Sequence, residues 1–439
     1  MSDFHTDEQT LKDLEIFGDK RQKSLASILD ATVSKGGELM LRRMLERPVA
    51  DKAFLEARQS VIRYLAKYPE LVDIDRNKLS FIEIYLEQDY GSNRLPAWKL
   101  RLQAWSDKIK PGNNWNLRWR GVEMLGELLY NLGRWCEETI TDYAPSAMQA
   151  YREKIDTLLK QSRLREVLSL NKLTLTAFGK LDYLFRCEEA AKIRELLDIL
   201  YELEALRSVA VRSAALGFTS PEYGEEFAGI DIRGVYHPFL QQAVGNDFRL
   251  NQDRHICFLT GPNMAGKSTY MKAVGICIYL AHVGFPVPAL QMKLSIFSGL
   301  FSTINLSDDI NLGYSHYYSE VRRIKLVAEK MALLKNVVVI FDELFRGTNV
   351  RDAYEASLAV LSAFEALKRS MFIISTHILE VAGSLKHSGS VDFRFFDIQN
   401  RNGELQYTYR LKPGVSDERL GMYILDREKV VENILKAAT

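Results

Sequence analysis

Residues Gly261–Ser268 read GPNMAGKS, a match to G-x-x-x-x-G-K-[ST], and this octet decides the fold of the second half of the chain. The apolar run Ile256-Cys257-Phe258-Leu259 precedes it, and a helical pattern runs from Lys267 to about His282. Strand, glycine loop and helix in that order form a phosphate cradle. Backbone N–H groups at a helix N-terminus supply closely spaced donors for a triphosphate. Gly261 and Gly266 permit the tight turn and close approach. Pro262, Asn263, Met264 and Ala265 make up the loop between them. Lys267 places a charge on the terminal phosphates, the Ser268 hydroxyl is placed to ligate magnesium, and Thr269 continues the cradle.

Working outward, Val337-Val338-Val339-Ile340-Phe341 is an apolar run of strand length that ends in Asp342-Glu343. Ligands of open α/β sheets sit beyond the carboxyl ends of strands. Asp342 there would hold magnesium, and Glu343 would orient and deprotonate an attacking water. A third run, Met371–Thr376, ends in His377, which is placed to hydrogen-bond a terminal phosphate or that water. Between loop and acids lies DDINLGYSHYYSEV, residues 308–321. Its Ser315 falls near a helix start, where a serine either caps the helix or receives an anion; taken alone, the cap is the simpler reading.

The 439 residues call for two or three domains, and a hydrophobic content of 47% is ample for their cores. The first half is dominated by helical spacing, as in Leu196-Leu197-Ile199-Leu200-Leu203-Leu206. Composition shifts at Gly217-Phe218-Thr219-Ser220-Pro221, after which short apolar runs alternate with helices. The expected fold class is therefore α + α/β: an all-helical domain over residues 1–216, then an α/β domain with a largely parallel sheet over residues 217–439. The 58 basic and 57 acidic residues leave a net charge of +1, which does not mark the whole chain as a nucleic-acid binder but leaves room for a local basic face. Cys136, Cys187, Cys257 and Cys277 show no C-x-x-C spacing, so a reducing, cytoplasmic setting fits best. The opening MSDFHTDEQT is no secretory signal, and Met271–Ala289 reads as a buried helix and loop rather than a membrane span. All five tryptophans lie between Trp98 and Trp135, interleaved with basic residues; helix packing is the favoured reading, a DNA or partner surface the alternative.

With these motifs assembled, the chain resembles the MutS mismatch-repair family. TGPNMAGKSTYMKAVG is similar to that family's TGPNMGGKST loop, and the Asn263-Met264 pair is far more specific than the general pattern. FDELFRGTNVRDA resembles DEIGRGTSTYDG, STHILE resembles ATHYFEL, and DDINLGYSHYYSEV resembles the family's signature loop. GVSDERLGMYIL resembles the stretch leading to the C-terminal helices. DLEIFG, SLASILDATVSKGGELMLRRMLERPVAD and ELEALRSVAVRSAALGFTSP resemble the entry to and exit from the helical core or lever.

The resemblance implies an ABC-type P-loop ATPase using ATP and magnesium, with a C-terminal dimerisation segment. It implies a homodimer that sandwiches the nucleotide, in which Ser315 reaches the γ-phosphate held by the partner's Lys267. His377 maps to the switch histidine, and Arg346-Gly347-Thr348-Asn349 to a loop touching the partner. ATP-gated, sequence-nonspecific DNA binding in repair is the implied task, with a further repair protein as partner and no membrane. An assembly ATPase that does not touch DNA is the alternative. The matched stretches begin at the lever, so the mismatch-reading and connector domains are expected to be absent and the clamp reduced or missing. Ala265 and Phe345 each stand where the family has glycine. Phe248 and His237 are the nearby candidates for the adenine contact.

Overall fold

The computed structural model describes all residues except 1, 19–22, 71–74, 88–112, 169–172, 225–227, 263, 305–315, 346, 402–403, 417–428 and 437–439. The chain forms two compact units: Ala26–Glu46 with Glu56–Ala215, and Met1–Leu25 with Arg47–Leu55 and Leu216–Thr439.

Among its described residues the first unit's regular elements are all helices. Asn113–Thr139 and Ala190–Leu216 are its longest helices, at 27 residues each, or about 40 Å. The stripe Leu196, Leu197, Leu200, Leu203 and Leu206 is buried, as helical spacing requires. Trp115 and Trp119 pack on Phe178, with ring centroids 4.8 and 5.2 Å away, and Trp135 Nε1 donates to the Glu70 carbonyl at 2.9 Å. These three tryptophans are packing residues. Trp98, Trp105 and the basic residues Arg94, Lys99, Arg101, Lys108 and Lys110 lie outside the described residues. Asp182 is buried between Arg118 (2.6 Å) and Arg186 (2.7 Å) and accepts from Tyr85 Oη at 2.9 Å. Desolvation pushes its pKa up, but the two guanidiniums outweigh that and hold the carboxyl below its usual range.

The second unit is mixed helix and sheet. Strands β4 (Ile256–Thr260), β6 (Gly299–Thr303), β7 (Val337–Phe341), β8 (Met371–Ser375), β9 (Val391–Arg401) and β10 (Glu404–Pro413) form one sheet in the order β10-β9-β4-β8-β7-β6. All neighbours are parallel except the antiparallel edge pair β9–β10. β4, β7 and β8 are buried at every position, which is why they read as unbroken apolar runs. Val337, Val339 and Phe341 join a core with Phe258, Phe364 and Phe372 on one face. On the other, the helix α2 (Lys267–Val283) approaches so closely that a Cβ on Gly275 would lie 3.1 Å from Ile340. A second sheet orders β1 (Glu222–Tyr223), β5 (Gln291–Leu294), β2 (Gly229–Val235) and β3 (Asn246–Asn251) as β1-β5-β2-β3. Helices α3 (His316–Leu334), α4 (Val350–Glu365) and α5 (Leu379–Leu385) complete the unit, with α1 (Glu8–Asp13) beside β6. Among the described residues no helix is long and apolar enough to cross a membrane.

His282 sits fully buried near the end of α2, stacked on Phe4 at 4.1 Å. Its Nδ1 lies 2.8 Å from the Ile278 carbonyl, and its Nε2 accepts the Phe297 N–H at 3.0 Å. That pattern needs the neutral ring. Burial drives its pKa from 6.5 down to about 4. Between those values the unfolded chain binds a proton that the folded chain refuses, so stability falls as pH drops from about 6.5 to about 4. The loss is on the order of 3 kcal/mol. Denaturant titrations at pH 7 and pH 4.5 should show it, and His282→Leu should flatten the difference.

Candidate nucleotide site

The parallel register brings three strand ends level. Leu259 of β4 pairs with Ser375 of β8, and Phe341 of β7 pairs with Ile374. The loops leaving β4, β8 and β7 therefore emerge side by side, with β4 and β7 roughly 10 Å apart at two strand spacings.

After β4, Gly261 (φ 127°) and Gly266 (φ 102°) hold left-handed backbone that carries no penalty in glycine. Gly266 is the N-cap of α2, and no side chain caps that helix, which leaves its first-turn N–H groups directed at the loop. Ala265 is buried and is not among the positive-φ residues, so an alanine fits there without strain. Met264 takes φ 70° and is exposed; Asn263 lies outside the described residues. Lys267 is buried, and its Nζ donates to the carbonyls of Gly261 (2.6 Å) and Pro262 (3.1 Å). Desolvation pulls its pKa below the usual lysine range, against the opposing charges of Asp342 and Glu343.

Asp342 and Glu343 follow β7. Ser375 Oγ, at the end of β8, donates to Asp342 and accepts the Glu343 N–H at 3.0 Å. One hydroxyl thus spans both acids. Glu343 holds φ 57°, a conformation that costs a non-glycine residue about 1–2 kcal/mol, and such strain concentrates at functional sites. Its carboxylate is 2.6 Å from His377 Nε2. Lys267, Asp342, Glu343 and His377 are therefore brought together as their sequence positions imply. Ser315 and Arg346 lie outside the described residues. Their neighbours meet, however: a Cβ on Gly347 would come within 2.6 Å of Tyr317 N and His316 Cβ, so only glycine lets the post-acid loop abut the start of α3.

Phe345 is the larger departure. It takes φ 61°, the left-handed region, and buries its ring 5.7 Å from Tyr317. The backbone cost is about 1–2 kcal/mol, and burying a phenyl ring returns roughly 1.5–3 kcal/mol. Packing therefore offsets the strain that glycine would have avoided.

On the other flank of the loop, Lys267, Ser268 and Thr269 line a cavity of about 530 Å³ with Pro262, Tyr236 and His237. Tyr409 of β10 completes its wall, and a Cβ on Gly266 would sit 3.4 Å from the Tyr409 ring. Tyr409 holds φ 55° at a break in the β9–β10 register. Asn246 fixes it there, donating to the Tyr409 carbonyl at 2.9 Å and accepting the Leu411 N–H at 2.8 Å. The sequence reading missed Tyr409 and Asn246. A bulge has no motif of its own, and Tyr407-Thr408-Tyr409 reads as ordinary strand alternation. Of the two earlier adenine candidates, His237 lines the cavity. Phe248 does not; it is buried, edge-on to Tyr270 at 6.4 Å.

Comparison with known proteins agrees with this geometry. Residues 257–439 match the model of MutS domain V, and residues 9–95 match MutS domain III. The DNA mismatch repair protein MutS of Thermotoga maritima is 27% identical over 261 residues, covering 57% of this chain and 32% of the relative. That of Listeria innocua is 27% identical over 264 residues, covering 59% and 30%. The chain spans about a third of the length of these curated relatives. Two domain models of one family, matched over well over half of the residues and in accord with the motifs at the strand ends, establish that the chain belongs to the MutS family.

Proposed function

We propose that this protein is a magnesium-dependent ATPase of ABC/MutS type, working as a homodimer whose nucleotide state gates sequence-nonspecific DNA binding in repair. The observation that carries the reading is the level arrangement of three strand ends. It sets the α2 N-terminus and Lys267 beside the Asp342-Glu343 pair and His377. The phosphates would lie on the uncapped first turn of α2, with Lys267 turning from its loop carbonyls to the terminal phosphate. The base would lie in the cavity against Tyr409. We assign residues 1–216 to the lever and residues 217–439 to the motor, whose compact unit also takes in Met1–Leu25 and Arg47–Leu55.

The donor set fits magnesium. Among the described residues no three His, Cys, Asp or Glu side chains cluster as a self-sufficient metal site. Magnesium held by one or two protein oxygens plus phosphate oxygens and water needs no such cluster. Ser268 and Asp342 would supply the protein oxygens, and the bound ion would neutralise charge on the phosphates. Glu343 would take the proton of the attacking water as its oxygen bonds to the terminal phosphorus and the bond to the bridging oxygen breaks. His377 would orient Glu343 through their hydrogen bond. The partner's serine at position 315 would complete the site. A cytoplasmic location accords with the free thiols.

DNA titration separates this reading from the assembly ATPase. Fluorescence anisotropy on duplex, mismatched and branched DNA should give affinities whose logarithm falls linearly with log salt as phosphates are neutralised, and that shift with ATP. Turnover of ATP with no DNA binding at low salt, in any nucleotide state, would favour the assembly ATPase instead.

A further inference from the structure

We propose that Ser375 is a positioning residue for hydrolysis: its hydroxyl fixes Asp342 and Glu343 relative to one another, and the left-handed Phe345 is what makes that tie necessary. The inference rests on the roles given to the two acids above.

β7 ends at Phe341, whose ladder partner is Ile374, so Asp342 emerges level with Ser375, the last residue of β8. The chain then leaves the sheet within three residues. The Asp342 N–H still continues the ladder, donating to the Thr303 carbonyl at 2.9 Å on the β6 side. The Leu344 N–H donates to the Ser375 carbonyl at 3.4 Å on the β8 side. Glu343 between them is left-handed, and its N–H goes to the Ser375 hydroxyl oxygen at 3.0 Å rather than to a strand carbonyl. The same hydroxyl gives its single proton to Asp342 Oδ1. Ser375 is fully buried, so both bonds are shielded from bulk water. One oxygen thus sets the direction of the Asp342 carboxylate and the placement of the Glu343 backbone, from which the second carboxylate reaches His377.

The turn needs such a tie because it is strained. Glu343 and Phe345 hold φ 57° and 61°, and a residue with a Cβ is pulled from there toward negative φ. Phe345 resists that pull through its ring, which is 4% exposed and packed in the core that holds Phe341 and Leu344. Glu343 has no buried ring to hold it. Without the hydroxyl, the turn is fastened only at Asp342 N and Leu344 N, and the strained residue between them is the one that carries the proposed base. Two departures from the family's motifs fall on this one turn: Phe345 stands where the family has glycine, and Ser375 where it has alanine. Glycine carries left-handed backbone without penalty, so a turn with glycine at 345 has less need of the hydroxyl. Misplacing a reacting group by about 1 Å costs on the order of 100-fold in rate, so slack at Glu343 should appear in turnover.

The test is steady-state MgATP hydrolysis by the full chain, with filter binding of labelled ATP and a thermal melt for each variant. Ser375→Ala should lower kcat by ~10-fold or more. Its ATP KM and Kd should stay within about threefold of wild type, because the α2 N-terminus and Lys267 are untouched. Ser375→Cys keeps nearly the same shape with only a weak donor and acceptor, so its kcat should fall as well. In a Phe345→Gly background, Ser375→Ala should cost at most about threefold more, a non-additive cycle. Should Ser375→Ala fail to fold, Ser375→Cys is read in the same way in both backgrounds. A folded Ser375→Ala or Ser375→Cys with wild-type kcat would overturn the hydroxyl's positioning role. An equal loss in both backgrounds would overturn its link to Phe345. A wild-type chain that does not hydrolyse MgATP would instead overturn the proposed function beneath it.

Discussion

Glu343→Ala should lower steady-state turnover by about 10²–10⁴-fold, the range for losing a general base, while ATP stays bound. The expectation follows from where the carboxylate sits. It projects from the end of β7 on a left-handed residue, held 2.6 Å from His377. The phosphate cradle, with its donors on the α2 N-terminus and Lys267, lies two strands away. Truncation should therefore leave nucleotide affinity nearly intact, and the bound triphosphate should persist. Filter binding with labelled ATP, beside a turnover assay, reads both quantities. If dimerisation follows ATP, the variant should also accumulate as dimer in sizing chromatography. Normal turnover would remove Glu343 from the chemistry.

Lys267→Ala should be comparably severe, at roughly 10²–10³-fold, the loss expected when one preorganised charge-stabilising donor is removed. Here the buried ammonium is 4% exposed and bonded to two loop carbonyls, so alanine leaves those carbonyls without their donor as well. This variant also tests action between subunits. Mixed with Ser315→Ala, it forms heterodimers in which one composite site has both its lysine and its serine. Activity should rise above that of either parent, and complete lack of rescue would argue that each subunit works alone.

Much of this was readable in the chain itself. The apolar runs at Ile256, Val337 and Met371 are strands because parallel strands are buried on both faces and need no alternation. The glycines at 261 and 266 sit where left-handed backbone occurs. Hydrophobic spacing also located the helices Lys267–Val283 and Ala190–Leu216. What stayed hidden depends on tertiary contact. Tyr409 reaches the cavity only because the ladder slips and Asn246 bridges to it from another sheet. Ser375 sits where the family motif has alanine, and nothing local shows that its hydroxyl joins two acids. Residues 1–216 read as lever, with DLEIFG at its entry, yet His5, Thr10 and Asp13 find their partners on and beside β6, at Ser298, Leu300, Ser302 and Ile304. Phe345 stands where the family has glycine, and its ring proves to be a packing element.

That last separation governs how the molecule is made. Asp13 and its partner Ile304 are 291 positions apart, so at 5–20 residues per second the first leaves the ribosome roughly 15–60 s before the second. Until then β6 does not exist, and Thr10 and Asp13 have no strand edge to bind. The nascent chain must carry this segment without its partner strand through most of its own translation, which marks residues 5–13 as a natural chaperone client.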